Sequence, residues 1–186
     1  MTNWWRTHPA AAVIALILRV YLGWTWLMAG WHKITGGFNA SGFLKNAVNN
    51  PIADKATGEL VYPTFTAFLN HFALPNVKLI NVLIPWGEFL VGLGLILGAL
   101  TTAAAFFGLI MNFMFLFAGT VSTNPWMVLI GAIVFIAGAN AGKFGVDYYL
   151  MPYLKHLATD LMTRKKGKGK GATGAGAGEG NLLMAK

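Results

Sequence analysis

The sequence predicts an all-α membrane protein: an antiparallel bundle of four transmembrane helices, with an extracytoplasmic loop of short amphipathic helices and a C-terminal interfacial helix. Of the 186 residues, 56% are hydrophobic and 11% are charged, and the mean hydropathy is +0.57. Globular domains carry about 25% charged residues. Four apolar runs predict four transmembrane helices. The turns between the last three runs are short, so these helices must be antiparallel neighbours.

The first predicted span covers residues 10–34. Two tryptophans and an arginine at positions 4–6 precede it, as in an anchor at the membrane surface. The run is too long for the core of a signal peptide, so we expect it to be retained. Residues 36–75 are polar enough to lie outside the hydrocarbon, and they contain amphipathic segments at 42–48 and 65–72.

Three further spans are predicted at 77–100, 103–121 and 126–141. Each is close to the length of about 20 residues that a helix needs to cross a bilayer. The dipeptide Thr101-Thr102 forms the turn between the first two of them. The breaker Asn124-Pro125 separates the last two.

The end of the chain differs from the bundle. Residues 146–163 place leucines at helical spacing opposite polar side chains, which predicts an amphipathic helix at the membrane surface. The basic Gly/Ala/Lys segment 164–186 is predicted to be disordered. Residues 1–163 are therefore predicted to form a single domain.

Charge predicts the orientation and the partners. Six of the 14 lysines and arginines lie in residues 164–186, opposed there by one glutamate. The positive-inside rule then places both termini in the cytoplasm and the long first loop outside. A basic tail beside a membrane favours binding to the bilayer and its anionic lipids, and no nucleic acid partner is expected.

The chain contains no cysteine, which excludes a thiol relay, a disulfide framework and an iron–sulfur cluster held by this chain. Heme would require two histidines at matching depth on facing helices. His32 is near a span, whereas His8, His71 and His156 lie outside the spans. No heme, metal or iron–sulfur cluster is therefore expected.

Charged and polar residues within the spans form the first candidate site. Arg19 and Glu88 fall near the predicted midplane of two adjacent helices, and Asn112 falls near the same depth. A charge that faces lipid at this depth costs about 3 kcal/mol or more. We therefore expect Arg19 and Glu88 to pair, either as a structural ion pair or as a proton or substrate site, with Asn112 nearby.

A second candidate site lies nearer the outer leaflet. Trp26 and Lys33 share one face of the first helix, His32 is adjacent, and Trp86 is expected nearby. An aromatic slot with a histidine and a lysine would suit a quinone headgroup, whose carbonyls need hydrogen-bond donors. The alternative is an ordinary interfacial belt.

Three segments carry a family resemblance: 18–38 (LRVYLGWTWLMAGWHKITGGF), 87–105 (GEFLVGLGLILGALTTAAA) and 140–150 (NAGKFGVDYYL). They resemble the DoxX family of small four-helix bacterial membrane proteins. The resemblance covers about residues 10 to 150. The residues that match the arginine, the lysine and the GE of the family pattern are Arg19, Lys33, Gly87 and Glu88.

The resemblance implies a protein of the bacterial plasma membrane with a redox role at the quinone pool, because the family is named for its association with thiosulfate:quinone oxidoreductase. The first hypothesis is thus a quinone-linked oxidoreductase subunit that acts on a small sulfur compound such as thiosulfate. The second is a non-enzymatic protein that anchors or assembles a redox enzyme. Either role implies a redox partner protein or a homo-oligomer. A transporter is disfavoured, because four helices without inverted repeats leave little room for alternating access.

Overall fold

The computed structural model describes residues 2–157 and residue 159, and this part of the chain is helical. Its only β-structure is an isolated bridge between Ala53 and Leu60. The α-helices in chain order are α1 (Thr2–Thr7), α2 (Pro9–Thr35), α3 (Ser41–Asn49), α4 (Pro63–Phe68), α5 (Val77–Leu97), α6 (Thr101–Phe117) and α7 (Asn124–Ala137). A π-helical turn, Leu69–Ala73, follows α4, and a 3-10 turn, Gly138–Gly142, follows α7.

The four long apolar helices of the described residues, α2, α5, α6 and α7, pack as a bundle in which α2 contacts both α5 and α7, and α6 contacts both as well. Helices α2 and α5 are antiparallel and approach closely at glycines. A Cβ at Gly23 would lie 2.9 Å from the carbonyl oxygen of Gly92, and one at Gly92 would collide with the backbone of Leu27. Small residues of this kind let helix backbones touch inside a membrane.

Three helical segments of the described chain are long and apolar enough to cross a membrane: Pro9–Thr35, Val77–Leu97 and Asn124–Gly142. Helix α6, at 17 residues, is shorter. It ends at Phe117, earlier than the predicted boundary of 121, because the chain turns at Gly119, whose φ is +85°.

One end of the bundle, here called the loop end, carries the connection between α2 and α5. Helix α3 packs there on the π-helical turn, and Ala40, Leu44 and Leu69 form a small apolar cluster with Ile80 of α5. The amide of Ala40 donates to Asn81 Oδ1 at 2.7 Å, which ties the loop to α5. The predicted segments 42–48 and 65–72 both lie in helical structure.

The opposite end, here called the terminal end, is where α1 meets the residues that follow α7. Trp5 Nε1 donates to the carbonyl of Ile133 at 2.9 Å, and Asn140 Nδ2 donates to the carbonyl of Trp5 at 3.0 Å. Residues 147–157, which lie within the predicted interfacial helix 146–163, are helical. The predicted disordered tail 164–186 lies outside the described residues.

Candidate ligand cavity

An ion pair between Lys33 and Glu88 lies at the loop end. Lys33 Nζ donates to both carboxylate oxygens of Glu88, each at 2.6 Å. The Glu88 side chain is 2% exposed and that of Lys33 is 29% exposed. Lys33 Nζ also lies over the ring of Phe38, 5.7 Å from its centroid, within range of a cation–π contact.

The close approach of α2 and α5 brings these two side chains together. A Cβ at Gly30 would lie 2.7 Å from the carbonyl oxygen of Pro85, so the backbones touch at this level. Lys33 and Glu88 each lie about one turn further along their own helices. Side chains on a helix tilt toward its N-terminus, and the long Lys33 side chain therefore reaches back to the carboxylate.

A cavity of about 320 Å³ lies beside the ion pair, between α2, α5, α6 and α7. The lining combines aromatic side chains with polar side chains from the turn between α6 and α7. Its lining residues are Thr25, Trp26, Ala29, Lys33, Phe38, Phe43, Ile84, Glu88, Phe115, Thr120, Ser122, Thr123, Asn124 and Met127. The arrangement holds a charged donor and a charged acceptor against a space that fits a ring.

The predicted pairing of Arg19 with Glu88 is wrong. Arg19 Nη1 donates to the carbonyl of Leu95 at 2.7 Å and Nη2 donates to that of Phe144 at 2.8 Å. Leu95 is seven residues from Glu88, about 10 Å along the helix axis. The depths of Arg19 and Glu88 in the membrane were predicted from the ends of the apolar runs. In the structure α2 extends beyond the C-terminus of α5, so Arg19 faces the end of α5 instead of its middle.

Arg19 belongs to a second polar cluster at the terminal end, here called the Arg19–Asp147 cluster. The carbonyls of Leu95 and Ile96, near the end of α5, have no donor within the helix, and the Arg19 guanidinium donates to them instead. Asp147 performs the converse role at the start of α6, where its carboxylate accepts from the amides of Leu100 (2.6 Å) and Thr101 (2.8 Å). The cluster therefore secures the tight turn between α5 and α6, in which Leu100 has a φ of +50°.

Asn112 does not join either charged group in the described structure. It is buried on α6, one turn from Gly108, and Gly108 packs against the indole of Trp26. Asn112 Oδ1 and Trp26 Nε1 are two of four buried side-chain atoms in the described residues that have no hydrogen-bond partner, the others being Arg19 Nε and Thr101 Oγ1. The predicted grouping of Arg19, Glu88 and Asn112 thus separates into three places.

The structure also divides the second predicted site. Trp26 and Lys33 both line the cavity, whereas His32 is exposed and Trp86 is 50% exposed on the outside of the bundle. The reason is rotation about the helix axis, since each residue turns about 100°. His32 is one residue before Lys33, and Trp86 is two before Glu88, so both point away from the cavity.

Several cavity residues were missed because their position depends on chain segments that meet only in three dimensions. Phe38 lies in the loop before α3 and Phe43 lies within α3. The remaining ones come from the turn before α7 and from its first residue: Thr120, Ser122, Thr123 and Asn124. Asp147 was also missed, because its partners lie 46 and 47 residues earlier. The one local signal was that Asp147 falls within the segment that carries the family resemblance.

A bundle of apolar helices, with charged side chains paired inside it, defines an integral membrane protein. The DoxX family matches residues 14–122, more than half of the chain, and the protein belongs to the DoxX family. The resemblance noted from the sequence is confirmed. No curated protein matches the chain significantly, and no solved structure does so.

Proposed function

We propose that this protein is a quinone-linked subunit of a membrane oxidoreductase and that the quinone ring binds in the cavity beside Lys33 and Glu88. The observation that carries the proposal is the ion pair at the wall of an aromatic cavity. Lys33 supplies a charged donor for a ring carbonyl, and Trp26, Phe38 and Phe115 supply aromatic walls. These residues fit the group that the family resemblance implies.

The electron donor that we propose is a small sulfur compound such as thiosulfate. Electrons require a partner or direct transfer, because the chain has no cysteine for a thiol relay or an iron–sulfur cluster. A redox partner protein or a second copy of the chain is therefore part of the proposal. Thiosulfate-dependent reduction of quinone in membranes, with and without the protein, tests this part.

Quinone binding is tested on protein purified in a mild detergent, by titration calorimetry with a short-chain quinone and by mass spectrometry of co-purified lipids. Lys33→Met removes the donor, and we expect the Kd to rise about tenfold, the equivalent of one charge-assisted hydrogen bond. Lys78→Met is the matched control, because Lys78 is an exposed lysine of α5 near the same end. No saturable binding by the wild-type protein would contradict the proposal and favour the non-enzymatic anchor.

His32→Phe and Trp86→Phe serve as further controls, because both side chains face away from the cavity. We expect neither to change the Kd, whereas Trp26→Phe removes part of a cavity wall and raises it. If His32→Phe weakened binding as strongly as Lys33→Met, the ligand would not lie in the cavity described here.

We propose that the loop end faces the outside of a bacterial plasma membrane and that the terminal end faces the cytoplasm. The support is the charge pattern, in which the C-terminal segment is strongly basic. Single cysteines test this well, because the chain has none of its own. Lys45→Cys is expected to react with an impermeant maleimide in intact cells, and Lys143→Cys only after lysis. The reverse pattern would overturn the orientation.

A further inference from the structure

Three polar side chains around the cavity donate within the protein, whereas the hydroxyls of Thr120 and Ser122, which also line it, make no hydrogen bond in the described structure. Thr25 Oγ1 donates to the carbonyl of Tyr21 at 3.1 Å, and Asn124 Nδ2 donates to the carbonyl of Thr120 at 2.8 Å. The hydroxyl of Thr123 donates to a methionine sulfur at 3.7 Å. The oxygen atoms of these side chains retain lone pairs that accept further hydrogen bonds. Because each hydroxyl has one hydrogen and two lone pairs, the polar wall offers more acceptor positions than donor hydrogens even with the free hydroxyls of Thr120 and Ser122 counted.

The ion pair has the same imbalance. An ammonium has three hydrogens, and two of those on Lys33 Nζ are directed to Glu88, while the ring of Phe38 lies 5.7 Å from the same nitrogen. The two carboxylate oxygens together accept about four hydrogen bonds, and Lys33 supplies two. The pair therefore offers about one more donor hydrogen but two more acceptor positions.

The indole of Trp26 does not correct this imbalance. Its ring lines the cavity, but Nε1 is buried toward α6, where a Cβ at Gly108 would lie 3.2 Å from it. A ligand in the cavity thus meets the ring of Trp26 and not its N–H group.

We infer, resting on the proposed function, that the cavity prefers the reduced, hydroxyl-bearing form of its ring ligand, with a hydroquinone hydroxyl donating to Glu88. A hydroquinone brings two O–H donors to a wall that is rich in acceptors. A quinone brings acceptors only and finds about one charged donor hydrogen, on Lys33, beside the neutral hydroxyls of Thr120 and Ser122, and it leaves the free acceptor positions of Glu88 unfilled. Glu88 is accordingly the residue that determines which of the two forms binds more tightly.

Tetramethyl-1,4-benzoquinone and its hydroquinone are suitable probes, because they have the same ring and methyl groups. Titration calorimetry under argon is expected to give a Kd about tenfold lower for the hydroquinone, the equivalent of one hydrogen bond to a charged group. The dimethyl ether of the hydroquinone keeps the ring and removes both donors, so it is expected to lose this advantage. The ether comparison uses wild-type protein alone and does not depend on the folding of any variant.

Glu88→Gln tests whether Glu88 causes the preference for the hydroquinone, because a carboxamide replaces part of the acceptor capacity of the carboxylate with donor hydrogens. We expect the preference for the hydroquinone to disappear or to reverse. Glu59→Gln is the matched control, since Glu59 is an exposed glutamate of the loop, and it is expected to keep the wild-type ratio.

Equal binding of the two forms, tighter binding of the quinone, or a preference that persists in Glu88→Gln would overturn the inference while leaving the proposed function intact. If neither form bound to the wild-type protein, the proposed function itself would fail.

Discussion

The two ends of the bundle each bury a charged cluster, but the two clusters differ in what surrounds them. At the terminal end, Arg19 and Asp147 bind main-chain groups at the ends of α5 and α6. At the loop end, Lys33 and Glu88 bind one another beside an open space of about 320 Å³. A buried charge whose hydrogen bonds go to helix ends therefore has a structural role. A charged pair beside a cavity has capacity left for a ligand.

The largest effect on stability is expected at the terminal end. Arg19→Met leaves the carbonyls of Leu95 and Phe144 without their donor, and the free energy of unfolding should fall by about 3–5 kcal/mol, since each buried polar group without a partner costs about 1–3 kcal/mol. Thermal unfolding in detergent measures this change. Arg6→Met is the matched control, because Arg6 also donates to a carbonyl at a helix end, that of Ile136, but is exposed. Equal losses in both variants would contradict the structural role of the buried cluster.

Helix contact at the loop end is the next test. Gly30→Ala places a methyl group against the backbone of α5 near Pro85, which should separate α2 from α5 and lower the free energy of unfolding by about 1–3 kcal/mol. Ligand binding should weaken as well, because Lys33 then moves away from Glu88. The control is Gly87→Ala, whose new methyl would meet only the flexible side chain of Met111, at 3.4 Å. Equal melting temperatures for the two variants would show that α2 and α5 are not in backbone contact at Gly30.

Breaking the ion pair itself should cost less stability than breaking the Arg19–Asp147 cluster. Glu88→Gln leaves the Lys33 ammonium beside the cavity, where its 29% exposure allows hydration, so we expect a loss of about 1–2 kcal/mol. The double variant Lys33→Met/Glu88→Leu removes both charges and should recover much of that loss in thermal unfolding. A loss larger than that of Arg19→Met would remove the distinction between the two ends.

The smallest effect concerns the exposed loop, away from both clusters. Amide hydrogen bonds from Thr57 and Ala56 hold the pKa of Asp54 below its ordinary value. A lowered pKa in the folded chain means that the turn is stabilised above the ordinary pKa of an aspartate and loses this stabilisation as the pH falls through the lowered value.

An NMR titration of the Ala56 and Thr57 amides should therefore show a transition below the ordinary aspartate range. In Asp54→Ala this transition should vanish, with the melting temperature of the bundle unchanged. A transition at or above the ordinary range would show that the turn does not bind the carboxylate.

Much of the fold could be predicted from the sequence because it depends on local properties. Apolar runs of about 20 residues must be helical in a membrane, since each backbone polar group needs a partner within its own segment. The bounds of α2, for example, are Pro9–Thr35 against a predicted 10–34. The choice of Trp26 and Lys33 was also a local inference, because residues seven apart share a helix face.

The partners of the buried charges were decided by tertiary structure alone. Sequence gives the order of residues along α2 and α5 but not how far one helix slides past the other, and the contacts of Gly30 and Gly92 set that register. A shift of seven residues, about 10 Å, exchanged Arg19 for Lys33 as the partner of Glu88. Composition thus determined that this protein is a helical membrane protein. Backbone contact between two helices determined which charge faces the cavity, because pairing at 2.6 Å depends on register that hydropathy does not encode.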